Sequence, residues 1–207
     1  MILKWESWVN QEINDCSKAI IKTKDINSFG LHRRILQKLV SDGTLVRYSK
    51  GIYIKSNSWE DEFQLLQQKY PKGIYSHNTA LYLLGYSDRA PALFTMTFPH
   101  GYNASSMSNE PIEKKQSVKE LYNIGIVEIK DFSGNLVKVY ELEKTLCDMM
   151  RGKNKDIEVI TSAFKKYSTS KNKNIPKLME YAKLLKVTSK IQPYLEVLLW
   201  ISKTLCS

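Results

Sequence analysis

Cysteine, glycine and proline are all scarce in this chain: its 207 residues include three, nine and six of them. So few glycines and prolines exclude collagen-like and low-complexity architectures. Cys16, Cys147 and Cys206 are odd in number and widely spaced. No C-x-x-C occurs and no Cys/His pair has zinc-finger spacing, which argues against a structural metal and for a reducing compartment. Long apolar runs are missing as well. The longest, Val197 to Ile201, is far short of the ~20 residues a membrane helix needs. The opening MILKWESW has no apolar h-region, so no signal peptide is expected. Together these absences point to a cytoplasmic protein without membrane contact.

Catalytic signatures are also lacking. The three histidines, His32, His77 and His100, form no H-E-x-x-H, and neither a phosphate loop nor a G-x-S-x-G elbow occurs. Asp131, Glu141 and Lys144 could be imagined as a nuclease site, but the acid-x-lysine pairing would need an acid at 142, where Leu142 stands. Glu141 and Glu143 read more simply as acids at a helix start. Cys147, set between Leu146 and Met149-Met150, reads as a core thiol. The expectation is a protein that is not an enzyme, with no catalytic residue, no metal and no cofactor.

What is present is an ordinary globular balance, 43% hydrophobic and 25% charged, in a length that suits one or two domains. The charge is not ordinary. Thirty-one Lys and Arg face twenty-one Asp and Glu, for a net +10. Residues 22–55 carry net +6 and residues 151–190 net +8, so the rest of the chain is acidic. Positive charge gathered in segments favours an anionic partner such as nucleic acid.

The period of the apolar residues divides the chain. Leu3 to Cys16 reads as an amphipathic helix. Thr23 is placed to cap a short second helix with Asp25 in its first turn, ended by Gly30. A third helix spans His32 to Ser41, with Leu36, Leu39 and Val40 on one face and Arg33, Arg34, Gln37 and Lys38 elsewhere. His32 reads as a capping residue. Leu45–Tyr48 and Ile52–Ile54 then alternate as two strands around a Ser49-Lys50-Gly51 turn. Helix, short helix, helix and β-hairpin within about 55 residues is the layout of a winged helix-turn-helix.

Past a boundary at Ser56–Ser58, the expected elements are a helix over Glu60–Tyr70, a strand at Ile74-Tyr75 and a helix capped by Ser76 and closed by Gly85. A strand follows over Leu93–Phe98, then a polar loop over 100–117. Strands at Ile124–Ile129 and Leu136–Tyr140 precede a helical remainder, over Leu142–Met150, Ile157–Tyr167, Ile175–Leu185 and Ile191–Leu205. The expected fold is α+β: a winged helix-turn-helix over 1–56, then a mixed α/β domain with a helical C-terminal part over 57–207.

Arg can grip guanine and Gln adenine from a helix in the major groove. Arg33, Arg34, Gln37 and Lys38 are thus candidate readers of double-stranded DNA. Lys50 and Arg47 would act from the wing, and Lys22 and Lys24 would hold phosphates. A solvated basic face on a winged-helix module that binds protein or RNA without operator specificity is the alternative. Lys165, Lys166, Lys171 and Lys173, around a Ser/Thr/Asn-rich loop, are candidates for a secondary nucleic-acid contact, beside the simpler reading of a solvated surface.

The run Thr23-Lys24-Asp25 … Leu36-Gln37-Lys38-Leu39-Val40-Ser41-Asp42-Gly43-Thr44-Leu45-Val46-Arg47 … Lys50-Gly51-Ile52-Tyr53 resembles the winged-helix half of AbiEi-type antitoxins. Tyr75-Ser76-His77-Asn78-Thr79-Ala80-Leu81, Thr95-Met96-Thr97-Phe98-Pro99 and Tyr140-Glu141-Leu142-Glu143-Lys144-Thr145-Leu146-Cys147-Asp148 resemble markers of that family's second half. The likeness spans nearly the whole chain, and the order and spacing of the motifs are what make it specific. It implies a bacterial type IV toxin–antitoxin system linked to abortive infection and phage defence. In it the N-terminal domain is a transcriptional repressor of its own operon at inverted repeats. The C-terminal domain acts as antitoxin against a nucleotidyltransferase-type toxin without a stable complex. Inverted repeats need two copies, yet no heptad or long apolar seam is present, so the expectation is a monomer in solution that pairs on DNA.

Overall fold

The computed structural model describes residues 19–28, 34–56, 61–103, 107, 109–152 and 156–204. The expected helix over Leu3–Cys16, and with it Cys16, lies outside the described residues, as do His32, Arg33 and Cys206. The fold is mixed α+β with two sheets, divided into two units, Met1–Tyr70 and Pro71–Ser207.

In the first unit, β1 (Ile20–Lys22) leads into α1 (Thr23–Ser28). Then come α2 (Arg34–Ser41), β2 (Leu45–Ser49), β3 (Ile52–Lys55) and α3 (Glu62–Lys69). The strands form an antiparallel sheet in the order β1-β3-β2. Thr23 is the first residue of α1 rather than its cap. The Lys22 N–H donates to Asp25 Oδ2 at 3.0 Å, so the acid of the first turn closes the helix start instead. β1 had no sequence signal of its own, because three residues are too few to establish a period. One side of the sheet packs with α1 and α2 through Ile21, Ile26, Ile35, Leu36, Leu39 and Leu45. Leu65 of α3 joins Ile20, Ile52 and Ile54 in a second cluster. That burial ties α3 to the first unit and puts the division at Tyr70/Pro71, past the boundary expected at Ser56–Ser58.

The second unit runs through β4 (Ile74–Tyr75), α4 (His77–Leu83), β5 (Phe94–Pro99), β6 (Ile112–Ser117), α5 (Lys119–Tyr122), β7 (Ile126–Lys130) and β8 (Leu136–Tyr140). Helices α6 (Leu142–Arg151), α7 (Ile157–Thr169), α8 (Ile175–Leu184) and α9 (Thr188–Thr204) complete it. Its five-stranded sheet has the order β6-β5-β4-β8-β7, parallel at β6/β5 and β4/β8 and antiparallel elsewhere. The polar segment expected as a loop over 100–117 thus contains an edge strand. Its sequence, IEKKQS, leaves both faces partly wet, so no apolar alternation marks it. Ser76 stands at the N-cap of α4, but its hydroxyl makes no cap bond. It accepts instead from Thr97 Oγ1 at 2.8 Å. Asp131 likewise closes the β7–β8 turn, accepting the Ser133 and Asn135 N–H groups on Oδ1.

The core of this unit centres on α6, whose residues Glu143 to Met150 are all buried. Leu146, Cys147 and Met150 pack with Ile160, Phe164, Leu178, Ala182 and Ile191. Two ionic groups share that interior: Lys144 Nζ donates to Asp148 Oδ2 at 2.5 Å and sits 3.6 Å from the centre of the Tyr140 ring. Burial lowers the Lys144 pKa, against the pull of Asp148.

Removing one member of a buried pair leaves the other uncompensated. Asp148→Ala is expected to destabilise the second unit by about 3–5 kcal/mol, while Lys144→Met combined with Asp148→Leu recovers most of it, measured by urea unfolding followed by circular dichroism. The Cys147 thiol, pushed up to about 12 by burial and bonded to the Leu178 carbonyl, is expected to resist alkylation at pH 8 until the chain unfolds. A Cys16→Ser/Cys206→Ser background followed by mass spectrometry isolates that readout.

Candidate nucleic-acid interface

The side chains that bury α2 also decide what it shows to solvent. Ile35, Leu36 and Leu39 face inward, which leaves Arg34, Gln37 and Lys38 exposed on the eight-residue helix. At 1.5 Å per residue that helix is about 12 Å long, short enough to enter a major groove about 12 Å wide.

The hairpin presents the rest. Gly51 turns it at φ 79°, a left-handed conformation in which any side chain is strained. A Cβ there would also meet Thr23 Oγ1 at 3.4 Å. The Thr23 N–H donates to the Gly51 carbonyl at 3.0 Å, which fixes the turn against the start of α1. The β2/β3 register shifts between Arg47 and Ser49, a bulge at Tyr48. Arg47 and Lys50 are both exposed.

Gln37, Arg47 and Lys50 line one groove of about 570 Å³ together with Thr23, Leu36, Val40, Gly51 and Tyr53. The charged side chains among these are Arg47 and Lys50, and no carboxylate accompanies them among the described residues. Gln37 offers the amide that can read a base edge. The groove is therefore cationic, with an apolar floor from Leu36 and Val40. Arg34 and Lys38 extend the basic surface along α2, and Lys24 is exposed on α1. Lys22 is half-buried, with its backbone N–H engaged by Asp25. Of the eight candidates, three meet in the groove, four lie elsewhere on the first unit, and Arg33 lies outside the described residues.

The second basic cluster is less available. Lys166 donates to both Asp88 oxygens at 2.7 and 2.9 Å, and Lys173 to the Ser168 carbonyl at 2.6 Å. Lys165 and Lys171 are exposed. The imagined nuclease residues are each otherwise engaged. Asp131 closes a turn, Lys144 pairs with Asp148, and Glu141 accepts from Lys177 and Tyr181 on α8. The bond from Lys177 to Glu141 raises that lysine's pKa; burial first, then the bond to Glu141, raises that of Tyr181. Glu143, expected at a helix start, stands in the first turn of α6, where it is buried and accepts from Tyr167 at 3.2 Å. Among the described residues no group of three His, Cys, Asp or Glu is placed to hold a metal ion. No described helix is long and apolar enough to cross a membrane.

No protein-family model and no curated protein matches the sequence. The fold is similar to that of the RV2827C protein from Mycobacterium tuberculosis, with a TM-score of 0.59 over 93% of this chain and 80% of that one. At 12% identity the likeness concerns the fold alone.

The strained turn gives a local test. Gly51→Ala is expected to lower the opening free energy of the β2–β3 amides by about 1–2 kcal/mol, read by native-state hydrogen exchange. The β8 amides of the second unit serve as the unchanged control.

Proposed function

We propose that the first unit is a winged helix-turn-helix, with α1 and α2 as its helix pair and the β2–β3 hairpin as its wing, and that it binds double-stranded DNA. The observation that supports this reading best is the groove shared by Gln37, Arg47 and Lys50, which pairs two cations with a base-reading amide and, among the described residues, holds no carboxylate. Phosphate contacts position such a module, and base-edge contacts specify its site. In this reading Gln37, with Arg33, Arg34 and Lys38, reads the operator. Arg47 and Lys50 act from the wing, and Lys22 and Lys24 hold the backbone.

The resemblance of the sequence to AbiEi-type antitoxins extends the proposal. The chain would act in the cytoplasm as an autorepressor at inverted repeats and as the non-enzymatic antitoxin of a type IV system. Its toxin would be of the nucleotidyltransferase type, countered without a stable complex. Two copies would load on DNA from a monomeric pool. The secondary cluster leaves Lys165 and Lys171 for a further phosphate contact, since Lys166 and Lys173 have intramolecular partners.

A gel-shift titration of the full chain against its own upstream region, beside a shuffled duplex, tests the proposal. Two successive selective shifts are expected. Gln37→Ala is expected to cost about 1–3 kcal/mol on the operator alone, and Lys50→Ala to weaken both duplexes and reduce the salt slope by about 1. Equal weak shifting of both duplexes with unchanged variants would instead leave a basic module that meets a protein or RNA.

A further inference from the structure

The second unit contains a polar cavity of about 390 Å³, within the range of about 300–1,000 Å³ that small-molecule sites occupy. Three elements build it. On β6, Glu113 and Lys115 are two residues apart, hence on one face of the sheet, and Lys115 Nζ donates to Glu113 Oε1 at 2.6 Å. On α6, Lys144, Asp148 and Arg151 fall at i, i+4 and i+7, one stripe of the helix. His77 and Asn78, at the start of α4, close the third side.

Two of these residues are not explained by packing alone. His77 holds φ 50°, a left-handed conformation that costs a side chain about 1–2 kcal/mol. Non-glycine residues held there cluster at ligand sites, where the fold sustains the strain. Its Nδ1 lies 3.1 Å from Ser76 Oγ. Burial pushes the imidazole down to about 4; Asp148 and Glu113 oppose that shift, and Lys115 and Lys144 assist it. His77 is therefore uncharged at neutral pH. The Asn78 Oδ1 is buried with no hydrogen-bond donor among the described residues. A buried acceptor of this kind calls for an N–H from elsewhere.

The sign of the lining decides the ligand. Lys115, Lys144 and Arg151 are balanced by Glu113, Asp148 and Asp156. A phosphate would meet three carboxylates. A metal ion would meet carboxylates already neutralised by Lys115 and Lys144. Groups of both signs remain open to a guest. Arg151 is half-exposed and only 3.9 Å from Asp148, too long for a hydrogen bond, so its planar fork can accept a carboxylate. Asp156 uses Oδ1 to cap α7, and its Oδ2 lies 3.9 Å from the exposed Arg89.

We propose that this cavity binds a small zwitterion of the amino-acid type, its carboxylate on Arg151 and its ammonium on Asp156. Such a guest brings both charges to a lining whose described residues carry no net charge. The site is separate from the cationic groove of the first unit and does not depend on its reading.

Isothermal titration and thermal shift of the full chain against the twenty free amino acids test the proposal. N-acetyl and C-amidated forms of the best binder, inorganic phosphate and adenosine monophosphate complete the panel. At least one free amino acid is expected to bind one-to-one and raise the melting temperature, with both blocked forms at least tenfold weaker. Arg151→Gln and Asp156→Asn are each expected to weaken it at least tenfold with an unchanged circular dichroism spectrum, since Asn still caps α7. The proposal is overturned if no free amino acid binds, if the blocked forms bind equally, if phosphate or the nucleotide binds in their place, or if both variants keep full affinity.

Discussion

The second unit depends on an ion pair that it buries inside one helix. Lys144 and Asp148 lie in α6, where every residue from Glu143 to Met150 is removed from solvent. Moving either charge out of water alone would cost several kcal/mol. The 2.5 Å hydrogen bond between them and the Tyr140 ring over the ammonium offset that cost where the chain can least move. Helix α6 contacts α4, α7, α8 and α9, so the pair lies in the element on which all four pack. Further polar contacts radiate from the same helix and from Glu141 just ahead of it. Glu143 meets Tyr167 on α7, Glu141 meets Lys177 and Tyr181 on α8, and Lys190 of α9 donates to the Met150 carbonyl. A hydrophobic cluster alone would let these helices slide, whereas directional bonds fix their register.

The elements visible in the sequence are those whose burial is one-sided. In helix α2 the spacing of Leu36, Leu39 and Val40 gives the core face, with Val40 partly buried and Ile35 added by the structure, and leaves Arg34, Gln37 and Lys38 wet. The β2–β3 hairpin follows from period two and from Gly51. Strand β6 was invisible because an edge strand needs no apolar face, and Ile112–Ser117 draws its stability from pairing with the fully buried β5. Ser76 misled for a related reason. A serine before a helix is a cap only if its hydroxyl is not claimed elsewhere, and Thr97, brought close by the sheet, claims it. The acids read at the start of α6 do stand there, Glu141 at the N-cap and Glu143 in the first turn; what the sequence did not show is that Tyr167, Lys177 and Tyr181 from later helices hold them.

Site legibility divides along the same line. Gln37, Arg47 and Lys50 could be named in advance because a helix and its neighbouring hairpin lie within about fifteen residues, and local geometry brings them together. The cavity of the second unit draws on His77, Glu113, Arg151 and Asp156, which only the β6-β5-β4-β8 order and the packing of α6 assemble. The left-handed backbone at His77 could not be read from the sequence: histidine is enriched in that conformation, but only a few per cent of non-glycine residues adopt it. Only the i, i+4 spacing of Lys144 and Asp148 was open to inspection, and an exposed helix would show the same spacing.

A net charge of +10 suggests one kind of partner, but the structure distributes that charge between two settings. In the first unit, Arg47 and Lys50 line a groove with no carboxylate, and their field adds outward. In the second, Lys115, Lys144 and Arg151 each lie within 3.9 Å of a carboxylate, so the charges of the described lining offset one another. Two lysines outside both sites also meet acids, Lys166 with Asp88 and Lys177 with Glu141. Basicity counted along the sequence therefore overstates the surface that an anionic polymer would meet. What matters for such a partner is cations not offset by a nearby acid, and among the described residues Arg47 and Lys50 share a groove whose lining holds no carboxylate.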